Sequence, residues 1–145
     1  MKSISIKLVI LFFSVSMFSC ILEDPEPEYS VVGGVATITV WTPSKTNPTA
    51  GETITIRTNY YSEHAPVTQL RFSARVGAGT ASVVETVSIS DFNTANSYER
   101  TFNYTVPPGT PAGTVIVLTL DVETPNSFVV SRSTPSSGTG SIRVI

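Results

Sequence analysis

The stretch TVIVLTLDVE, residues 114–123, decides the fold of this 145-residue chain. Every second residue of it is a large aliphatic side chain, which is the period of a β-strand. This inward set consists of Ile116, Leu118, Leu120 and Val122. Val115 and Val117 add apolar side chains on the opposite face. Because a strand that is apolar on both faces is typically covered on both, we expect it to be the central strand of a sheet.

Shorter runs with the same period precede and follow this strand, and no segment after residue 31 has a helical period. Clusters of Pro, Gly, Asn and Ser separate the runs, as is typical of turns. The predicted strands cover residues 35–42, 52–61, 67–76, 82–90, 98–106, 128–132 and 141–145. Glu85 lies on the inward face of the run 82–90, which predicts an edge strand. The pattern as a whole predicts an all-β, antiparallel sandwich of seven to eight strands.

The segment FNYTVPPGTPAGTVIVLTLDV, residues 102–122, has an aromatic strand, then Val-Pro, a glycine-marked turn and an apolar strand. This order resembles a pattern of bacterial immunoglobulin-like and fibronectin-III-like domains. The resemblance implies the fold but no activity, because such sandwiches carry many unrelated functions. The Cys-Trp-Cys core of antibody domains is absent from the sequence, so a true antibody-type domain is not expected.

Residues 31–145 form the predicted domain, and they carry seven acidic and seven basic side chains. A neutral domain without a stripe of basic side chains lacks the positive charge that binds phosphates, which argues against a nucleic-acid partner. Cys20 is the only cysteine, so the sequence predicts no disulfide, thiolate metal site or cysteine nucleophile in the domain.

Residues 1–19 have the organisation of a signal peptide. Lys2 and Lys7 make the amino end basic, and an apolar run follows at residues 8–17. That run is about 15 Å long as a helix, too short for a hydrocarbon core of about 30 Å. The alternative is a buried core helix, which the position of the run at the amino terminus disfavours.

The sequence Met17-Phe18-Ser19-Cys20 resembles the lipobox of bacterial lipoproteins. The resemblance implies that Cys20 is acylated on its sulfur and becomes the first residue of the mature protein. Ser19 and Cys20 match the pattern well, whereas Met17 and Phe18 depart from its more usual Leu and small residue. Since one acyl chain holds a protein only marginally, stable anchoring needs two or three chains.

Residues 20–30 form a predicted disordered, acidic tether between the lipid and the domain. Its acids, Glu23, Asp24, Glu26 and Glu28, resemble the export signal of Bacteroidota-type surface lipoproteins. The resemblance implies a lipid anchor in the outer membrane, with the domain on the cell surface; the periplasmic leaflet is the alternative location. A plain solvated linker is the other interpretation of the acids.

The sequence contains no convincing set of catalytic residues. His64 is the only histidine and falls in a predicted loop, where an exposed side chain is expected. Asp121 and Glu123 share one face of a strand and form a candidate calcium or acid–base pair, but solvent-facing charges explain them better. We therefore expect neither an enzyme nor a metal or cofactor site.

Trp41 and Tyr61 are the candidate ligand-binding residues. In the predicted strands 35–42 and 52–61, each lies opposite the inward-facing set, so both are expected on an exposed face. Aromatic side chains displayed on a sandwich stack on sugars or fill a partner's pocket. The alternative is that they cover the ends of the core.

Together these features predict a membrane-anchored, non-catalytic binding or adhesion module whose ligand is a glycan or an envelope protein. A structural or accessory subunit of a larger outer-membrane complex is the alternative. An enzyme is the third hypothesis and the least favoured, because no nucleophile, base and orienting group come together.

Overall fold

The computed structural model describes residues 35–145, apart from the side chain of Asn126. Eight strands and one short 3₁₀ helix make up this region. The strands are β1 Thr37–Pro43, β2 Thr53–Tyr61, β3 Gln69–Val76, β4 Ser82–Ser88, β5 Ser97–Thr105, β6 Val115–Thr124, β7 Phe128–Ser133 and β8 Ile142–Arg143, and the 3₁₀ helix is Pro125–Ser127. The predicted start of the domain at residue 31 lies outside the described residues. So do the leader, Cys20 and the tether acids Glu23, Asp24, Glu26 and Glu28.

The strands form two antiparallel sheets, so the predicted all-β sandwich is confirmed. One sheet has the order β1-β2-β5, and the other has the order β4-β3-β6-β7, with β8 also paired to β6. Immunoglobulin-like sandwiches divide their strands in this way, with the first, second and fifth in one sheet and the third, sixth and seventh in the other. Here β4 pairs with β3 rather than β5, and it is an edge strand, as Glu85 predicts.

The core consists of the inward-facing rows of both sheets. Strand β6 lies between β3 and β7, and all its inward side chains are fully buried, which confirms its predicted central position. Phe72 of β3 and Phe102 of β5 meet across the sandwich with ring centroids 5.0 Å apart. These two rings are the largest fully buried side chains and join the two sheets at the centre.

Strand β1 departs from the predicted alternation because it contains a β-bulge. Ile38 is paired with Tyr60 and Val40 with the adjacent Asn59, which leaves Thr39 as an extra residue. One extra residue exchanges the two faces of everything that follows it. Ile38 is therefore buried, Val40 is turned outward, and Trp41 is turned into the core.

A second bulge lies in edge strand β4, between Glu85, which is paired with Phe72, and Val83, which is paired with Ser73. Regular alternation with the inward-facing Glu85 would place Val83 inward as well, but Val83 is 58% exposed because Val84 is the extra residue. Val87 and Ile89, beyond the bulge, pack partly against the core.

The carboxyl-terminal residues join the two sheets at one end of the sandwich. Ile142 and Val144 are buried, and the backbone of Val144 is bonded to Gly113 and Thr114 beside β6. On the other side, the amides of Arg143 and Ile145 donate to the carbonyls of Thr46 and Pro48, in the loop after β1. This segment therefore closes the sandwich between the first and the sixth strands.

Candidate functional site

The outward-facing side of the sheet β1-β2-β5, called the three-strand face below, carries the candidate site. Most of its side chains are short and polar, because Thr, Asn or Ser occupies seven of the ten outward positions of β2 and β5. The outward row of β2 is Thr53, Thr55, Arg57, Asn59 and Tyr61, and that of β5 is Ser97, Glu99, Thr101, Asn103 and Thr105. Neighbouring hydroxyls bond across the strands, as Thr53 Oγ1 and Thr105 Oγ1 do at 2.7 Å.

One ion pair fixes the centre of this face. Arg57 Nε and Nη2 donate to the two carboxylate oxygens of Glu99 at 2.8 and 2.9 Å. Hydrogen bonds and charge from Glu99 raise the pKa of the Arg57 guanidinium above its ordinary value. This two-point geometry orients both side chains, and it leaves Nη1 of Arg57 as a donor without a partner among residues 35–145.

A groove of about 320 Å³ lies beside this pair, where β1 leaves the sheet. It is lined by Val40, Thr42, Pro43, Ser44, Thr55 and Arg57. Ser44 holds this edge, because its amide donates to the Thr55 carbonyl at 2.8 Å and its Oγ accepts the Thr55 amide at 3.1 Å. The bulge at Thr39 places the apolar side chain of Val40 in this groove.

Trp41 is not on this face, so the expectation that it is exposed is wrong. It is only 9% exposed and packs edge-on against Phe72, with ring centroids 6.1 Å apart. Its Nε1 has no hydrogen-bond acceptor among residues 35–145. The bulge explains the error, since a regular strand would have placed Trp41 outside.

Tyr61 is half-buried on the three-strand face, in the row predicted for it. It is the last residue of β2 and is paired with Thr37 and Ser97 at the margin of the sheet. The structure therefore does not bring Trp41 and Tyr61 together: one lies in the core and the other at an end of the outer face.

Other aromatic residues cover that end of the core. Phe92, in the loop before β5, contacts Tyr98 with ring centroids 4.7 Å apart, and Tyr98 stacks on Tyr60 at 5.9 Å. The Tyr98 hydroxyl accepts the amide of Asn93 at 2.8 Å. Burial raises the pKa of the Tyr60 phenol above its ordinary value of 10.0. This cluster closes the core.

The charged candidates lie apart from this face. His64 is exposed in the loop between β2 and β3, as expected. Asp121 lies on the other sheet and accepts hydrogen bonds from Arg71 at 3.0 Å and from Ser131 at 2.6 Å. Both of its carboxylate oxygens therefore already have partners. Within residues 35–145, no cluster of three or more His, Asp or Glu side chains is arranged to hold a metal ion. Across the same residues, no helix has the length and apolar character needed to cross a membrane.

The strand order defines the class of this protein as an antiparallel, immunoglobulin-like β-sandwich. No protein-family model matches the chain, and no curated protein matches it. Among solved structures, it is similar to Spo0M, a sporulation control protein of Bacillus subtilis, with a TM-score of 0.51 and 15% sequence identity. The similarity covers 78% of this chain and 50% of that protein, so the chain spans about half its length. At this identity, the similarity shows the fold alone.

The groove could not be found from the sequence, although most of its residues have ordinary strand positions. Its position depends on the bulge at Thr39, which turns Val40 outward, and on the departure of β1 from the sheet after Pro43. The run VATITVWTP has no glycine or other residue that marks the bulge. The only local signal is Pro43, which is typical of edge strands.

Proposed function

We propose that this chain is a lipid-anchored binding module of the bacterial envelope, held in the membrane through Cys20 and without catalytic activity. The observation that carries the binding role is the three-strand face. It combines an open groove with an oriented ion pair, Arg57 and Glu99, on a rigid sheet. Binding sites built on strands hold their side chains more firmly than sites on loops.

The lipobox-like residues before Cys20 support the anchor, and the acids Glu23, Asp24, Glu26 and Glu28 support export to the cell surface.

The test of this function is a comparison of cells that produce the chain with Cys20 or with Cys20→Ser. We expect the parent chain in the outer-membrane fraction, and cleavage of its domain by protease added to intact cells. The Cys20→Ser variant is expected to leave that fraction, because it has no acyl acceptor. A variant that stays in the outer-membrane fraction to the same extent as the parent chain would contradict the anchor.

An accessory subunit of an envelope complex is the second candidate. Two adjacent apolar side chains at the start of edge strand β7, Phe128 and Val129, favour it, since they are 41% and 43% exposed. Apolar side chains at a sheet edge are common contact points for partner proteins. Recovery of one stoichiometric partner with the cross-linked chain from membranes, lost in Phe128→Ser, would support this candidate over the first.

A further inference from the structure

The groove on the three-strand face has two kinds of lining that fit a sugar ring. Val40 and Pro43 provide apolar contact, while the hydroxyls of Thr42 and Thr55 surround them with polar groups. A pyranose has the complementary composition, with an apolar face of C–H groups and a rim of hydroxyls. Ligand sites commonly combine an apolar lining with a few placed polar groups.

The size of the groove favours a small part of a long ligand. Its volume of about 320 Å³ is close to the lower end of the range for ligand pockets, about 300–1,000 Å³. The groove is open to solvent along the face, so the ends of a chain-like ligand can continue over the neighbouring strands. The rows of Thr and Asn on β2 and β5 extend hydrogen-bonding groups in that direction.

The charge of the face favours a neutral ligand. Arg57 and Glu99 are the only charged side chains in the outward rows of β1, β2 and β5, and each neutralises the other. An acidic ligand would have to displace Glu99 from Arg57 or accept its repulsion. Sugar hydroxyls avoid this conflict, because they accept from a guanidinium and donate to a carboxylate while the ion pair stays intact.

The groove also has few side chains that a ligand would have to immobilise. It contains no lysine or other long, unpaired side chain, and Arg57 is already fixed by two hydrogen bonds. Binding therefore has to immobilise little, which keeps the entropic cost of association low. This matters for sugars, whose individual hydrogen bonds with protein replace equally good bonds with water.

From these observations we infer that the groove binds a neutral polysaccharide, with one pyranose ring over Val40 and its hydroxyls bonded to Thr55 and Arg57. This inference rests on the proposed function and names its ligand class. The other sheet provides a natural comparison, since Arg71 and Asp121 form an ion pair on its outer face.

The test uses the full chain in detergent micelles and isothermal titration with soluble oligosaccharides. The probes are neutral oligomers of glucose, mannose and xylose, with oligogalacturonate as the acidic counterpart. We expect at least one neutral oligomer to bind. Thr55→Tyr and Thr42→Tyr, which fill the groove from two different strands, are expected to abolish that binding.

Arg57→Gln is expected to weaken binding about tenfold or more, since a hydrogen bond to a charged group contributes more than one between neutral groups. The matched control, Arg71→Gln, removes the same kind of cation from the other sheet and is expected to change nothing. Circular dichroism and thermal unfolding of each variant check that the fold is retained.

Three results would overturn the inference: no neutral oligomer binds, binding survives both groove-filling variants, or oligogalacturonate binds more tightly than every neutral oligomer. These failures are distinguishable from failure of the proposed function. If the glycans do not bind while the chain still depends on Cys20 for membrane association, the carbohydrate site is wrong and the anchored module remains.

Discussion

Thr39 is the residue that determines which side chains of β1 reach the core. Because it is bulged out of the pairing with β2, Ile38 and Trp41 are both buried although they are three positions apart. Arg132 of β7 reinforces this geometry, since its Nη1 donates to the Ile38 carbonyl at 2.7 Å. A single unpaired residue thus gives the core its only tryptophan and the outer face its groove.

Removing the Trp41 side chain tests its place in the core. We expect Trp41→Ala to lower the free energy of unfolding by about 3–5 kcal/mol, as is usual for truncation of a buried aromatic. Trp41→Phe should lower the free energy of unfolding by clearly less. It keeps a ring against Phe72 and removes an indole N–H that has no acceptor among residues 35–145. Urea unfolding followed by circular dichroism measures both. A Trp41→Ala protein as stable as the parent would contradict the burial.

Glu52 gives the loop between β1 and β2 a pH dependence. Hydrogen bonds from Lys45 and from the Thr49 amide lower the pKa of Glu52 below its ordinary value of 4.5. A carboxyl whose pKa is lowered by folding stabilises the protein above its unfolded pKa, and this contribution is lost as the pH falls through the folded pKa. Glu52→Gln is therefore expected to reduce the melting temperature at pH 7 but to have little effect at about pH 2.

Thermal unfolding at both pH values measures this difference. Glu63→Gln is the matched control, since Glu63 is an exposed acid of the next loop with no partner among the described residues. An equal effect of Glu52→Gln at the two pH values would contradict the ionic contribution.

At the scale of the strands, charge is placed where it protects the sheet edges. Glu85 of β4, Arg100 of β5 and Arg132 of β7 stand in inward-facing rows, and all three strands are edges. Strand β1, which is also an edge strand, has a bulge and Pro43 instead. The inward rows of the interior strands β2, β3 and β6 contain no charge. Inward-pointing charges and bulges discourage pairing between edges of different molecules.

The pair Glu85 and Arg100, which links β4 to β5 at 3.4 Å, allows a test of this protection. We expect Glu85→Val/Arg100→Met to self-associate more than the parent chain, because both edges lose their inward charge. The stability should change by no more than about 1 kcal/mol, since the pair is partly exposed to solvent. Light scattering and size-exclusion chromatography measure the association.

Arg57→Met/Glu99→Val is the matched control, because it removes an identical pair of charges from the outer face. It is expected to leave the association state unchanged. Equal association of the two double variants would show that lost charge, rather than lost edge protection, is the cause.

The strands could be predicted from the sequence because their signal is periodic. In the sequence of β3, inward-facing and outward-facing side chains alternate without interruption, as in Leu70, Arg71 and Phe72. The structure shows the same alternation. The bulges could not be predicted, because Thr39 and Val84 are ordinary strand residues and their displacement depends on the partner strand. The groove and the burial of Trp41 both follow from one bulge. The candidate site could therefore not be predicted from the regular inward–outward alternation of side chains.

At the scale of the whole molecule, the carboxyl-terminal segment completes the sandwich. Ile142 and Val144 are 0% and 1% exposed, although β8 itself has only two residues. Burial of an aliphatic side chain stabilises by about 1.5–3 kcal/mol, and whole domains are stable by only about 5–15 kcal/mol. These few residues are therefore important for the cooperative fold.

Ending the chain at Ser141 is expected to lower the free energy of unfolding by at least about 3 kcal/mol, through loss of both buried side chains. Ile145→Ser is the control, since Ile145 is 64% exposed and its loss should cost no more than about 0.5 kcal/mol. Chemical denaturation of both chains decides the point. A truncated chain with the parent's stability would mean that the segment does not close the sandwich.

The central claim is that Cys20 carries the lipid that holds this sandwich at a membrane. Mass spectrometry of the amino-terminal peptide, isolated from membranes of cells that produce the full chain, tests it most directly. The account predicts a peptide that begins at Cys20 and has the added mass of a diacylglyceryl group. A peptide that still contains residues 1–19, or a Cys20 with a free thiol, would contradict it.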